Sequence, residues 1–216
     1  MQQRVWDRIG PICGLVFVGL MMVVATQGLG GDPGVRPDDP AGEIAAATAA
    51  EFEGGVWTWA MALMVALVAF VVFLADVHER LRGSIPGPGR WLATVFLAGG
   101  LLVVVAILGQ AMIWLAQGVV AVAGGEEAAV AKTLFVLSWE AFGTVIPGVA
   151  AMTGAAAVAS LGFRALPAWL GVLAAVAFAA TFVVYWVPVW LIWVAVAAVT
   201  LLVRKRPAVE ASAPAS

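Results

Sequence analysis

Apolar residues run through this chain in long blocks, and the polar residues collect between them. A helix crossing a hydrocarbon layer needs about 20 such residues. The pattern predicts six spans, at residues 9–27, 56–75, 91–117, 133–161, 167–184 and 187–203. The last two share one apolar run, which is too long for a single helix. YWVP at 185–188 is its natural break, because proline suits a helix start and ends the helix before it. The first span follows Arg4 and Arg8 as a signal peptide would, but its length and the indifferent cleavage site in VVATQGLGG favour a retained span. The predicted fold class is therefore all-α. It is an integral membrane bundle of six transmembrane helices in one domain, residues 1–206, with 207–216 a disordered tail.

The polar interruptions have distinct characters. GLGGDPGVRPDDP reads as an irregular loop, and EIAAATAAEFE after it as a short helix. On that helix Ala45, Ala49 and Phe52 share a face with Ile44 at its edge, and the acids lie opposite. Such a helix would lie on the membrane surface or cover the outer end of the bundle. DVHERLR and GSIPGPGR form a basic connection, AGGEEAAVAK a second acidic loop, and GFRALP a tight turn.

Charge gives an orientation. With six spans, Arg4, Arg8, Arg80, Arg82, Arg90, Arg164, Arg204, Lys205 and Arg206 fall on one side, and only Arg36 and Lys132 on the other. That bias places both termini in the cytoplasm. The opposite side carries Asp32, Asp38, Asp39, Glu43, Glu51, Glu53, Glu126 and Glu127. Aromatics gather there too: Trp57, Trp59, Trp114, Trp139, Tyr185, Trp186 and Trp190, against Trp6, Trp91 and Trp169 at the inner boundary. So lopsided a belt leaves room for an aromatic-lined cavity on the outer side.

Composition agrees. The chain is 63% hydrophobic and 11% charged, with a mean hydropathy of +1.04, where a soluble domain carries about 25% charged residues. A net charge of −2 implies no nucleic-acid partner. Cys13 is the only cysteine, so no intramolecular disulfide and no cysteine metal cluster is expected. His78, the only histidine, falls in a cytoplasmic loop, offers no haem ligand at membrane depth, and reads as part of a solvated charged run. Lys132 and Lys205 are not deep enough for a retinal Schiff base. Ser84, Ser138 and Ser160 lack a nucleophile-elbow context, and no Walker or dinucleotide motif appears. No catalytic residue, metal site or cofactor is expected, and the chain reads as non-enzymatic.

The candidate site centres on Glu140, an acid inside the apolar run KTLFVLSWEAFGTVIPGVAAMTG. Trp139, Glu140 and Thr144 project from the fourth span, while Gln110, Trp114 and Gln117 form a stripe on the third. A short outer loop makes these helices antiparallel neighbours, so Glu140 is expected near Gln110, Gln117, or Tyr185 of the last hairpin. Pro147 frees a backbone carbonyl near Thr144. Together these residues could hold a cation or a small amphiphile against aromatic walls. The simpler reading is a glutamine and a glutamate hydrogen-bonded between helices as packing glue.

LSWEAFGTVIPG followed by FRALPAWLGVLA resembles a pattern common in small six-span proteins of high-GC Gram-positive bacteria, in or bordering on families of unknown function. The second motif is Arg164, Leu166, Pro167, Trp169, Leu170 and Gly171, and the likeness covers the layout from the second span onward. It implies a six-helix fold in a bacterial inner membrane and brings no activity with it. The expected function is that of an accessory, scaffold or sensor subunit with an outward-facing pocket at Glu140. The alternative is a small-molecule or cation transporter or channel using that acid, with an intramembrane enzyme third. Expected partners are the lipid bilayer and other membrane proteins or a second copy of the chain.

Overall fold

The structure, a computed structural model, describes residues 2–27, 34–53, 55–123, 127–183 and 189–204. Among them all regular structure is helical. The eight α-helices are α1 (Gln2–Gln27), α2 (Ala41–Glu53), α3 (Val56–Ser84), α4 (Trp91–Ala123), α5 (Ala128–Ala141), α6 (Val145–Phe163), α7 (Ala168–Val183) and α8 (Val189–Val203). By length and composition, the stretches Arg8–Ala25, Trp57–Ser84, Gly87–Ala123 and Val145–Phe163 are apolar enough to cross a membrane. The fold is that of a helical multi-pass membrane protein. Helices α7 and α8 are apolar but shorter, at 16 and 15 residues.

The fourth predicted span is not one helix. The run 133–161 is divided by a 3-10 turn at Phe142–Thr144, with α5 before it and α6 after it. Pro147 is the physical cause. It has no N–H for the carbonyl four residues earlier, that of Gly143, and its ring crowds that carbonyl. Gly143 adds the most permissive backbone at the same point. The boundary at 75 moves too, because α3 continues to Ser84. Asp76 and Arg80 stabilise the added turns with an i, i+4 ion pair at 2.8 Å. Pro86 then ends the helix by holding Ile85 in an extended conformation, φ −97° and ψ 118°. His78 is not solvated as expected: its Nδ1 lies 2.9 Å from the Ala93 carbonyl of α4 and donates to it. The break expected at 185–188 lies outside the described residues.

Small residues set how closely the helices approach. Helix α4 crosses α6 almost backbone to backbone. A Cβ on Gly99 would sit 2.5 Å from the Met152 nitrogen, and one on Gly148 would sit 2.8 Å from the Gly99 oxygen. On α1, Gly10 lies against Asp76 and Gly14 against Phe73 and Ala198. The core carries Phe17 stacked on Phe70 at 4.2 Å and the fully buried Trp193, whose Nε1 donates to the Leu170 carbonyl at 3.3 Å. Buried hydroxyls of Thr153 and Ser160 bond the carbonyl four residues back, so no polar hydrogen is left facing apolar neighbours.

At 33 residues α4 is about 50 Å long, more than a hydrocarbon core of about 30 Å requires. Its first half packs on α6, and its last turns pack on α5 and α2. The Ala123 end of α4 with these two short helices therefore forms a structure of its own.

Candidate functional site

Helix α2 docks as its sequence pattern demands. Ile44, Ala45 and Thr48 are buried, with Ala49 and Phe52 half-buried on the same face. Ala45 packs against Ala121 of α4 and Ala131 of α5, a meeting of methyl groups that lets the three backbones come close. Phe52 fills the notch left by Gly118, where a Cβ would fall only 2.0 Å from its ring, and lies tilted 6.2 Å from Trp114. Gln117, only 2% exposed, donates from Nε2 to the Thr48 hydroxyl at 2.9 Å. Its Oε1 is buried without a hydrogen-bond partner among the described residues. Ahead of the helix, the Arg36 N–H bonds the Asp39 carboxylate at 2.6 Å, and the Lys132 ammonium of α5 donates to the Asp39 carbonyl at 2.7 Å.

Beside α2, one face of α5 is open. A groove of about 490 Å³ runs along it, its apolar lining made by Ala129, Val136 and Leu137 with Ala41 of α2. Along α5 the lining begins at Ala129, Lys132 and Thr133 follow one turn on, and Glu140 comes last. Glu140 follows Lys132 by eight residues, about 12 Å along the axis at 1.5 Å per residue. The groove thus has a largely apolar lining with a cation and an anion set apart along it.

The expected constellation is only partly assembled. Trp114 and Gln117 do come together, but with Phe52 and Thr48 of α2, not with Glu140. At about 100° per residue, Glu140 points about 180° away from Ala131, the residue α5 buries against α2 and α4. It is exposed and makes no bond to either glutamine. Gln110 is half-buried nearly two turns before Gln117. The Thr144 hydroxyl donates to the Ala141 carbonyl at 2.6 Å, within the 3-10 turn. Trp139 belongs to α5, but its side chain is not among those described, and Tyr185 lies outside the described residues.

Thr48 is the member that the sequence concealed. The period of α2 put Ala45, Ala49 and Phe52 inward, and a threonine in that stripe gave no sign of its partner 69 residues away. Burial also raises the carboxyl of Glu51, on the same helix, above the ordinary glutamate range. No three His, Cys, Asp or Glu among the described residues gather as metal ligands. Compared with protein-family models, curated proteins and solved structures, the chain matches none.

Proposed function

We propose that the chain is a non-enzymatic accessory or sensor subunit of a bacterial cytoplasmic membrane, reading the outer side through the α5 groove between Lys132 and Glu140. The observation that carries this is Glu140 itself, an exposed acid in an open, largely apolar groove. Lys132 has a structural use in its bond to the Asp39 carbonyl, but Glu140 has none among the described residues, and a ligand with an apolar body and a cationic group would fit beside it.

The orientation rests on charge. Six spans, α1, α3, α4, α6, α7 and α8, with both termini in the cytoplasm put nine of the eleven lysines and arginines inside. Helices α2 and α5 then stand on the outer side, at or above the headgroups. The likeness to six-span proteins of high-GC Gram-positive bacteria supports the choice of membrane.

Cysteine accessibility tests the reading. In a Cys13→Ala background, Glu140→Cys is treated in intact cells with a membrane-impermeant maleimide. Glu127→Cys serves as outer control and Gly83→Cys as inner control. The expected result is labelling at 127 and 140 and none at 83. A labelled 127 with a silent 140 would make the groove a closed packing feature, and labelling at 83 without 127 would invert the topology.

A further inference from the structure

We propose that α2 is a lid, and that the α4 surface beneath it is a second outward-facing binding site, one that takes an aromatic amide. This rests on the outer placement of the Ala123 end of α4 given above, and not on the groove at Glu140.

The ligand class follows from what α2 leaves undone. A glutamine side chain offers one acceptor and two donors in a plane. Thr48 engages Nε2 alone, and Oε1 is buried with no partner among the described residues. Turning the amide over only exchanges which atom goes unpaired, since among the described residues the Thr48 hydroxyl is its one partner. A primary amide or lactam donates and accepts in one plane, and so pairs both atoms at once. Trp114 lies one turn from Gln117 on the same face and presents an aromatic surface. Gly118 leaves a notch of ring size, now filled by Phe52. Helix α2 therefore presents a ring and a hydroxyl to the cradle but no donor for the Gln117 Oε1 among the described residues.

The attachment of α2 suits a segment that opens. Before it stands Gly34 at φ +70°, and after it Gly55 at φ +121°, backbone conformations that glycine adopts without strain. Its contact with α4 and α5 is methyl against methyl at Ala45, Ala121 and Ala131, with the buried Ile44 and the Phe52 ring in the Gly118 notch as the larger apolar contacts. Among the described residues, Gln117 bonds Thr48 of the helix and Lys132 bonds the Asp39 carbonyl just before it. A short helix held by one narrow face and flanked by two glycines at positive φ is a unit small enough to open locally below the global stability.

The test uses the full chain in lipid nanodiscs, Cys13→Ala throughout, with Ala45→Cys as reporter because Ala45 is 6% exposed when α2 is docked. Maleimide should label it about tenfold or more slowly than Glu127→Cys, yet to completion. Benzamide, the probe, should speed that labelling several-fold by displacing α2, and toluene, which has the ring without the amide, should not. In a Thr48→Val, Gln117→Leu double variant, which keeps the lid packed by apolar contact, the benzamide effect should vanish. Labelling of Ala45→Cys at the Glu127→Cys rate, or no labelling, overturns the lid. Equal effects of benzamide and toluene, or none from either, overturn the site. Glu140→Cys labelled in intact cells beside either failure leaves the groove reading standing.

Discussion

Adding one methyl group where α4 crosses α6 should cost far more than its size suggests. The perturbation is Gly99→Ala. Its Cβ would lie 2.5 Å from the Met152 nitrogen and 2.8 Å from the Gly148 oxygen, both backbone atoms that no rotamer change can move. Ordinary contact begins near 3.4 Å, so the helices must part by about 0.9 Å there. A radial gap of that size forfeits roughly a quarter to a half of each dispersion contact across it. Buried side chains such as Val103 and Met152 make tens of contacts at about 0.1–0.2 kcal/mol each, so the loss is about 2–3 kcal/mol. The gain from burying one methyl, about 0.8 kcal/mol, does not offset it.

Reversible unfolding in mixed micelles, followed by far-ultraviolet circular dichroism, measures this. Gly109→Ala and Gly162→Ala are the controls, because nothing lies within 4 Å of a Cβ at either site. Alanine's better helix propensity should leave them neutral or stabilised by up to about 1 kcal/mol. Gly148→Ala should resemble Gly99→Ala, and the double variant should cost less than the sum, since one separation accommodates both methyls. If Gly99→Ala proves as stable as Gly109→Ala, the close crossing is wrong and with it the placement of α6 along α4.

The remaining predictions concern the helix ends. Thr48→Val should loosen α2 by about 1–3 kcal/mol by leaving the whole Gln117 amide unpaired, while adding Gln117→Leu should restore most of it; maleimide reaction at Ala45→Cys reads both. Because burial raises the Glu51 carboxyl in the docked helix, charge on it opposes docking above the ordinary value of 4.5, and docking should strengthen as pH falls through the raised value. Glu51→Gln should dock α2 more tightly at neutral pH and flatten that dependence, measured as the labelling ratio of Ala45→Cys to Glu127→Cys. Arg164 ends α6 in the left-handed region at φ 56°, where a side chain costs about 1 kcal/mol against glycine. Arg164→Gly should therefore raise unfolding stability by about that much, and a loss would show that the guanidinium anchors the helix end.

Block lengths of apolar residues were enough to read the helical membrane class, and a short amphipathic pattern was enough to place α2 and most of its buried face. Both signals are local: one is a run, the other a period. What they could not carry was the division of the run 133–161. Hydropathy is blind to a proline three residues into a helix, and only the missing N–H for the Gly143 carbonyl shows why the chain tightens there. That break changes the meaning of Glu140. In one straight helix it is an acid at the edge of the hydrocarbon, needing a partner on the neighbouring span. Once α5 is a separate helix, Ala131 and Phe135 take the buried side and Glu140 lies on the exposed face opposite, away from the third span.

The glutamines show the complementary limit. Helical spacing put Trp114 and Gln117 on one face, and the structure keeps them there, but no periodicity within α4 can say which element covers that face. Neighbouring spans were the natural candidates because short loops join them. The element that arrives is α2, far away in sequence, and it fits because it is built of alanines beside one hydroxyl and one ring. A larger residue at Ala45 would hold α2 too far from α4 for Thr48 to reach Gln117. The composition that makes α2 a weak amphipathic helix is therefore the condition for its docking, and for its being displaced.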